Sequence, residues 1–287
     1  MDGRASAPAA GTIVNALATG RGSAFAIDRE TTATVELTSG GDVTGTIANA
    51  PDADTRLIER CVELVVERCG DGQGARVETE SEIPMAAGLK SSSAAANATV
   101  LATCDALDMT VGEDGTLSLA DAARLGVRAA REVGVTVTGA FDDASASMLG
   151  GVTVTDNTAD EVLARGTVDW DVLVWTPDER AFSADADVTR CERVAPVVEV
   201  AVERALAGEY ERAMTVNGLA FCAALDFPTA PAMAALGHVS GVSLSGTGPS
   251  YVAVGERKGL KKVQEAWSEY DGNTWLTTSR TDGARTE

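Results

Sequence analysis

The sequence predicts an α+β fold arranged in two lobes. Strand-like and helix-like segments are interspersed along the 287 residues without the regular βαβ rhythm of a doubly wound sheet. Glycine-rich loops punctuate them, and a chain of this length forms one large domain or two ordinary ones. We therefore expect one lobe over residues 1–155 and a second over 156–287, with no internal repeat.

The first lobe is predicted to begin as a small sheet and to continue with helices. Residues 1–50 alternate between apolar and polar side chains, as in TTATVELT at 31–38. The segment 52–70 carries an apolar stripe at helical spacing, and Gly70 ends it. The other elements predicted here are a strand near 75–80 and helices over about 91–107 and 119–133.

The second lobe is predicted to mix one buried strand with helices and a hairpin. DVLVWTP at 171–177 reads as a buried strand, and 241–255 alternates as two strands around a tight glycine turn. Two helices are expected within 192–224, followed later by a charged helix and a short final strand. The apolar face of the two helices within 192–224 fits either the core or an interface between copies of the chain. A homo-oligomer is therefore left open.

The charge of the chain is strongly negative. There are 43 acidic against 23 basic residues, a net charge of −20, and only four of the bases are lysines. Nothing supplies a basic stripe for a phosphate backbone, so we expect no nucleic-acid partner. Such a lysine-poor acidic composition resembles proteins of salt-accumulating organisms, in which molar salt screens self-repulsion.

Compartment and redox state follow from two further patterns. No run approaches the roughly 18 apolar residues that a membrane span needs, and the first thirty residues lack a signal pattern, so we expect a cytoplasmic protein without membrane contact. The five cysteines are odd in number and show no CxxC spacing. We expect them to be reduced and buried.

The first candidate site is the segment IPMAAGLKSSSAAANA at 83–98. A glycine-containing loop runs into three serines and a helix whose first turns contain only Ser and Ala. The first four N–H groups of a helix are unpaired and the dipole is positive there, so this start can hold phosphate without basic side chains. The serines alone could equally be a plain helix cap.

Two other glycine-rich loops point to the same chemistry. ATGRGSAF at 18–25 and GTGPS at 246–250 each lie between strands, and either one alone is more often a simple hairpin turn. Neither GxxxxGK[ST] nor a GxGxxG after a strand is present, so the ordinary P-loop and the dinucleotide fold are not predicted. Three such loops together suggest converging backbone around an anion.

Acidic side chains form the second candidate site. Glu132 and Asp143 lie eleven residues apart across a glycine turn. One carboxylate can hold a metal while the other accepts a proton from an attacking hydroxyl, although Asp142 and Asp143 could instead cap the next helix. His238 is the only histidine, so histidine-centred catalysis and His-rich zinc sites are not expected.

These motifs together resemble the GHMP kinases, the superfamily of galactokinase, homoserine kinase and mevalonate kinase. PMAAGLKSSSAA resembles their phosphate loop PxxxGLxSSAA, and SGTGPS resembles their C-terminal glycine motif. More narrowly, GTIVNALATGRGSAFAID, VTGAFDDASASMLGG, NGLAFCAALDFPT and the terminal TDGA are similar to the archaeal shikimate kinases. The resemblance runs from about residue 8 to the C-terminus.

The resemblance implies an N-terminal lobe like domain 2 of ribosomal protein S5 and a ferredoxin-like C-terminal lobe. It implies ATP-dependent phosphorylation of the shikimate 3-hydroxyl in aromatic amino acid biosynthesis, with Mg²⁺. The second-lobe loop, Gly246, Thr247 and Gly248, would press against the phosphate loop. The implied ATP-binding residues are Pro84, Met85, Ala86, Ala87, Gly88, Leu89, Lys90, Ser91, Ser92, Ser93 and Ala94.

The resemblance also assigns the chemistry. Asp143 aligns with the catalytic aspartate, and Ser92 and Glu132 align with the Mg²⁺ ligands. Lys90 stands where the wider family often has glycine, and it either supplies charge to phosphate or points to solvent. Thr12 stands where the mevalonate branch has a catalytic lysine.

The acceptor is less sharply defined than the nucleotide. Shikimate carries a carboxylate, so we expect an arginine fork in its pocket, with Arg21 and Arg280 as candidates. Another small hydroxylated acceptor such as homoserine is the alternative, but homoserine kinases typically have asparagine where this chain has Asp143. A catalytically silent nucleotide sensor is a third hypothesis.

Overall fold

The computed structural model describes residues 1–48, 50–83, 88–136, 138–178 and 186–287. Within these ranges the chain forms a seven-stranded and a four-stranded sheet. The first sheet contains β1 (Asp2–Val14), β2 (Arg21–Thr38), β3 (Val43–Ile47), β4 (Gly74–Ser81), β5 (Val152–Asp156), β6 (Glu161–Gly166) and β11 (Arg285–Thr286). Its helices are α1 (Arg56–Cys69), α2 (Ser91–Ala106), α3 (Leu119–Glu132) and α4 (Phe141–Leu149).

The first sheet is built around two long antiparallel strands. Its order is β11-β1-β2-β4-β3, and β5 and β6 extend the sheet beside the first part of β2. β2 is 18 residues long, so its two ends pair with different neighbours, β5 and β4. Helices α2 and α4 pack against β1 and β2 and against each other, while α1 and α3 pack against α2. The starts of α2 and α4 lie close together, since Lys90 and Asp143 form an ion pair.

Small residues bring α2 unusually close to the sheet. A Cβ atom on Gly3 in β1 would lie 2.1 Å from the carbonyl oxygen of Ala102. The alanines of α2 are buried apart from Ala95, and they leave little side-chain volume between helix and strand. Backbone packing therefore fixes the C-terminal part of α2 against β1.

The second sheet follows a βαββαβ path. Its strands are β7 (Asp171–Thr176), β8 (Gly241–Leu244), β9 (Tyr251–Gly255) and β10 (Asn273–Thr278), in the order β10-β7-β9-β8 with all neighbours antiparallel. This is the ferredoxin-like arrangement expected for the second lobe. The helices are α5 (Val188–Arg193), α6 (Ala195–Leu206), α7 (Tyr210–Leu225), α8 (Ala230–Ala235) and α9 (Arg257–Trp267).

The division between the sheets differs from the boundary at residue 155. That residue lies inside β5, and both β5 and β6 belong to the first sheet, which ends before β7. The C-terminal β11 also returns to pair with β1. The register of β5 on β2, rather than a composition change, determines where the first sheet ends.

The structure describes the state of the cysteines and the length and apolar character of the helices. All five cysteines are free and four are buried, as predicted. Burial raises the pKa of the Cys61 thiol well above its ordinary value, which makes the thiol unreactive. In the part of the chain that the structure describes, no helix has both the length and the apolar character required to cross a bilayer.

Candidate active site

The start of α2 is open to a cavity. Lys90 occupies the N-cap position with φ 65°, and its side chain makes no capping hydrogen bond. Ala94 N–H donates a helical hydrogen bond to the Lys90 carbonyl. The preceding N–H groups, of Ser91, Ser92 and Ser93, belong to residues that line the cavity. The helix start that the sequence predicts to bind an anion is therefore accessible from the cavity.

This cavity, the larger of two that meet at Asp143, has a volume of about 450 Å³ and two chemically different ends. The polar end contains Lys90, the three serines and Asp143. The rest of the cavity lies near α1, β3 and β4. Its lining there combines the apolar residues Ile47, Ala50, Leu57, Ile58 and Ile83 with the polar residues Thr31, Asp54, Thr79 and Ser81. A cavity with a largely apolar part and an anion-binding end suits a nucleotide.

Asp143 lies in the first turn of α4 and faces the start of α2. Its Oδ2 is 2.9 Å from the Lys90 Nζ, and its side chain is only 9% exposed. Its Oδ1 is buried and has no hydrogen-bond partner among the described residues. Burial, together with the neighbouring Asp142 carboxylate, raises the pKa of Asp143 to about 7, while Lys90 opposes the shift.

A smaller cavity of about 40 Å³ adjoins the larger one at Asp143. It shares Lys90, Thr136, Ala140 and Asp143 with the larger cavity, and it reaches the second-lobe loop. The other residues lining it are Asn15, Ala16, Leu17, Thr138, Asp142, Gly246 and Thr247. Asp143 and Lys90 thus lie where two compartments meet, one large and one small.

Asp142 belongs to a buried polar network. Asn157 Nδ2 donates to Asp142 Oδ1 at 2.7 Å, and Asn157 Oδ1 accepts from the Asp142 N–H at 3.1 Å and from Thr155 Oγ1 at 2.7 Å. A Cβ on Gly22 would lie 2.4 Å from Asp142 Oδ2, so only glycine fits there. This network anchors the first turn of α4 and therefore orients Asp143. No local sequence pattern predicts this role of Asn157.

The second-lobe loop contacts the phosphate loop, as expected. Ser245 Oγ donates to the Gly88 carbonyl at 2.8 Å, and Gly246 N–H donates to Thr12 Oγ1 at 2.8 Å. Gly88 has φ 73°, and a Cβ there would lie 2.3 Å from the Ser245 carbonyl oxygen. Asn15 Nδ2 also donates to the Gly246 carbonyl at 2.8 Å. Backbone from both lobes therefore meets beside Lys90.

Three predicted site residues lie away from this cluster. Glu132 ends α3 at the surface, where Arg60 Nε and Arg128 Nε lie 2.6 and 2.7 Å from its carboxylate and hold its pKa below the ordinary value. Arg21 pairs with Glu199 at 2.5 Å, and Arg280 pairs with Glu30 beside a separate outer groove. None of the three is among the described residues that line either cavity.

The physical reason for these differences is the acidic surface. With 43 acidic residues available, an arginine readily finds a carboxylate wherever it emerges, and spacing along the chain does not fix the direction of a helix-ending side chain. Four predicted nucleotide-binding residues, Pro84, Met85, Ala86 and Ala87, lie outside the described residues.

The groups beside Asp143 could hold Mg²⁺ only together with phosphate oxygens and water. No cluster of three or more His, Cys, Asp or Glu side chains that could hold a metal occurs within the described ranges. Hydroxyl groups at the start of α2 line the cavity instead. Mg²⁺ commonly keeps waters and phosphate oxygens and takes one or two protein ligands. The site therefore fits an ion that enters with a nucleotide, not an all-protein cage.

Comparisons with known proteins agree with this geometry. The family description "GHMP kinases N terminal domain" matches residues 56–151. A shikimate kinase of Halobacterium salinarum is 64% identical over 287 residues, 100% of both chains. A shikimate kinase of Methanosarcina mazei is 52% identical and covers 99% of this chain and 96% of its own.

Solved structures show the same fold at low identity. A homoserine kinase from Cytophaga hutchinsonii superposes with a TM-score of 0.78 at 17% identity, covering 100% of this chain and 97% of its own. The Methanococcus jannaschii mevalonate kinase gives 0.76 at 13% identity, with 96% and 98% covered. The two-lobed fold predicted from the sequence is confirmed. The chain belongs to the GHMP kinases, within the family that these shikimate kinases form.

Proposed function

We propose that the chain is a kinase that transfers the γ-phosphoryl group of ATP to the 3-hydroxyl of shikimate. The acceptor is supported by relatives named shikimate kinase that match along their whole length. One observation carries the chemistry. A buried carboxylate, Asp143, faces an open helix start across a cavity that continues into a second, smaller one.

The larger cavity is the proposed nucleotide site. Its largely apolar part near α1, β3 and β4 suits a purine ring, and its polar end suits the triphosphate. The unpaired N–H groups at the start of α2 bind phosphate oxygens without adding positively charged side chains to the acidic protein. Gly88, held against the second-lobe loop, keeps this backbone in place.

The smaller cavity is the proposed site for the reacting end of the acceptor. An acceptor hydroxyl there would lie next to Asp143, which is anchored through the Asp142 and Asn157 network. As the acceptor oxygen bonds to the γ-phosphorus, the bond from that phosphorus to the bridging oxygen of ADP breaks. The hydroxyl proton passes to Asp143.

Positioning supplies most of the rate in phosphoryl transfer. The two cavities meet at Asp143, which allows acceptor and γ-phosphate to be held in line on opposite sides of the transferred group. Mg²⁺, when bound, would neutralise phosphate charge. The Ser92 hydroxyl, which lines the cavity, would be its protein ligand. Glu132 is not placed to assist unless it leaves Arg60 and Arg128.

An ADP-release assay with shikimate, homoserine and mevalonate in parallel tests this function. It is run with Mg²⁺ and ATP in dilute buffer and in molar KCl. We expect kcat/KM for shikimate to exceed the other two by at least about 100-fold, because polar contacts to the acceptor discriminate strongly. The phosphorylated position is then read by ³¹P–¹H correlation. Preference for homoserine, or no turnover of any acceptor, would overturn the proposal.

A further inference from the structure

Lys90 has a backbone conformation that favours glycine. Its φ of 65° and ψ of 31° place it in the left-handed region, which residues other than Gly, Asn and Asp seldom adopt. Glycine would allow the same turn into α2 without this strain. The backbone therefore gives no reason for a lysine here, and the reason must lie in the side chain.

The Lys90 side chain is enclosed at the junction of the two cavities. It is 11% exposed, with Nζ 2.9 Å from Asp143 Oδ2. A Cβ on Gly246 would lie 2.5 Å from the same Nζ, so the ammonium group fills the space between α4 and the second-lobe loop. Among the described residues that line the larger and smaller cavities, Lys90 is the only cationic one.

The ion pair leaves the ammonium group with capacity to bind another anion. An ammonium group has three N–H donors, and the bond to Asp143 uses one of them. A triphosphate at the start of α2 would bring several negative charges next to Asp143, in a chain whose net charge is −20. Without a cation between them, the two anions would repel each other at short range.

We propose that Lys90 is a catalytic residue that contacts a γ-phosphate oxygen while it remains beside Asp143. The proposal rests on the proposed kinase function. Lys90 keeps its protons throughout. Its ammonium group offsets the charge on the transferred phosphoryl group and reduces its repulsion with Asp143, while the acceptor proton goes to Asp143 as described above.

A purely structural role makes a different prediction. If Lys90 only neutralised buried Asp143, its removal would affect ATP and ADP binding equally, and the effect would vanish once Asp143 is uncharged. If Lys90 contacts the γ-phosphate, its removal weakens the binding of ATP but not of ADP. This difference remains when Asp143 is replaced. The comparison of ATP with ADP therefore separates the two roles without requiring turnover.

The test uses Lys90→Met, with Lys258→Met as the matched control on the surface of α9. For Lys90→Met, we expect kcat to fall by more than about tenfold, as for loss of a donor to a developing charge, with KM for the acceptor little changed. By calorimetry in KCl with Mg²⁺, its affinity for ATP should fall at least about tenfold more than its affinity for ADP. Lys258→Met should match the wild type.

The same binding comparison is repeated in an Asp143→Asn background, which also serves if Lys90→Met alone does not fold. Relative to Asp143→Asn, the double variant Asp143→Asn/Lys90→Met should still lose more affinity for ATP than for ADP. Equal losses for ATP and ADP, loss of the effect in that background, or a kcat decrease of less than about tenfold would overturn the proposal. If the wild type does not phosphorylate shikimate, the proposed function fails while this nucleotide comparison stays readable.

Discussion

At the scale of single residues, the chemistry depends on one buried carboxylate and what surrounds it. The hydrogen bond between Asp142 and Asn157 anchors the helix turn that carries Asp143, and the Asp143 carboxylate forms an ion pair with Lys90. One of its oxygens lacks a hydrogen-bond partner among the described residues. A buried acceptor left open in this way is expensive unless a ligand completes it, which points to a substrate hydroxyl.

Asp143→Asn removes the proton acceptor and keeps the shape of the side chain. We expect kcat to fall at least about 100-fold, in the range typical of general-base catalysis, while ATP still binds. ADP release under saturating acceptor measures the first effect, and calorimetry measures the second. Asp108→Asn, at an exposed helix end, is the control. Near-normal turnover in Asp143→Asn would remove this residue from the chemistry.

The pH dependence follows from the direction of the Asp143 shift. Burial raises its pKa from the ordinary 3.8 to about 7, so the carboxylate loses its charge as the pH falls through about 7. A general base must be ionised, and kcat/KM should therefore decline below neutral pH. Lys90 lowers the pKa, so Lys90→Met should move the inflection to higher pH. A flat wild-type profile down to pH 5 would contradict this.

Glu132→Gln tests the predicted metal ligand that the structure does not bring to the site. Its carboxylate is shared by Arg60 and Arg128 at the surface, and surface ion pairs contribute little. We expect both kcat and the Mg²⁺ concentration for half-maximal activity to stay within about twofold of the wild type. A requirement raised tenfold would return Glu132 to the metal site and imply that its side chain reorients.

At the scale of elements, the site depends on a helix start held between two lobes. Gly3 lets α2 lie against β1, and Gly88 lets the loop before it touch Ser245. The serines and the glycine loops were predictable because each has a local backbone signature, whereas their contact was implied by the family resemblance. α4 was harder to define, because FDDASASML is short and built of small and polar residues.

Gly88→Ala should loosen this contact. The added Cβ would lie 2.3 Å from the Ser245 carbonyl oxygen and 2.8 Å from that of Gly248, so the second-lobe loop must move away. We expect kcat/KM for ATP to fall by more than about tenfold, since misplacement of about 1 Å is costly. Gly72→Ala is the matched control, with φ 83° and no neighbouring atom within 4 Å. Equal effects of both variants would show that backbone strain alone is responsible.

At the scale of the whole molecule, fold and family were predictable and individual surface partners were not. Ordered motifs along the chain defined the two lobes, and the sheets confirm them. The candidates Arg21 and Arg280 instead pair with Glu199 and Glu30, because an acidic surface offers every arginine several carboxylates. Burial of polar groups such as Asn157 depends on strand pairing between distant segments, which one sequence does not reveal.

The net charge of −20 predicts salt-dependent stability. Molar KCl shortens the screening length to about 3 Å and reduces self-repulsion. We expect at least about 2 kcal/mol of stabilisation between 0.1 and 2 M KCl, or roughly 4–8 °C in Tm for a chain of this size. Thermal unfolding followed by circular dichroism checks it. A Tm that is already maximal in dilute buffer would contradict the prediction.

The most direct measurement is a crystal structure of the complex with a non-hydrolysable ATP analogue, Mg²⁺ and shikimate. The account predicts phosphate oxygens about 2.7–3.2 Å from the N–H groups at the start of α2. It also predicts the shikimate 3-oxygen within hydrogen-bond distance of Asp143 and about 3–3.5 Å from the γ-phosphorus. A triphosphate bound away from α2, or an acceptor hydroxyl that does not reach Asp143, would contradict it.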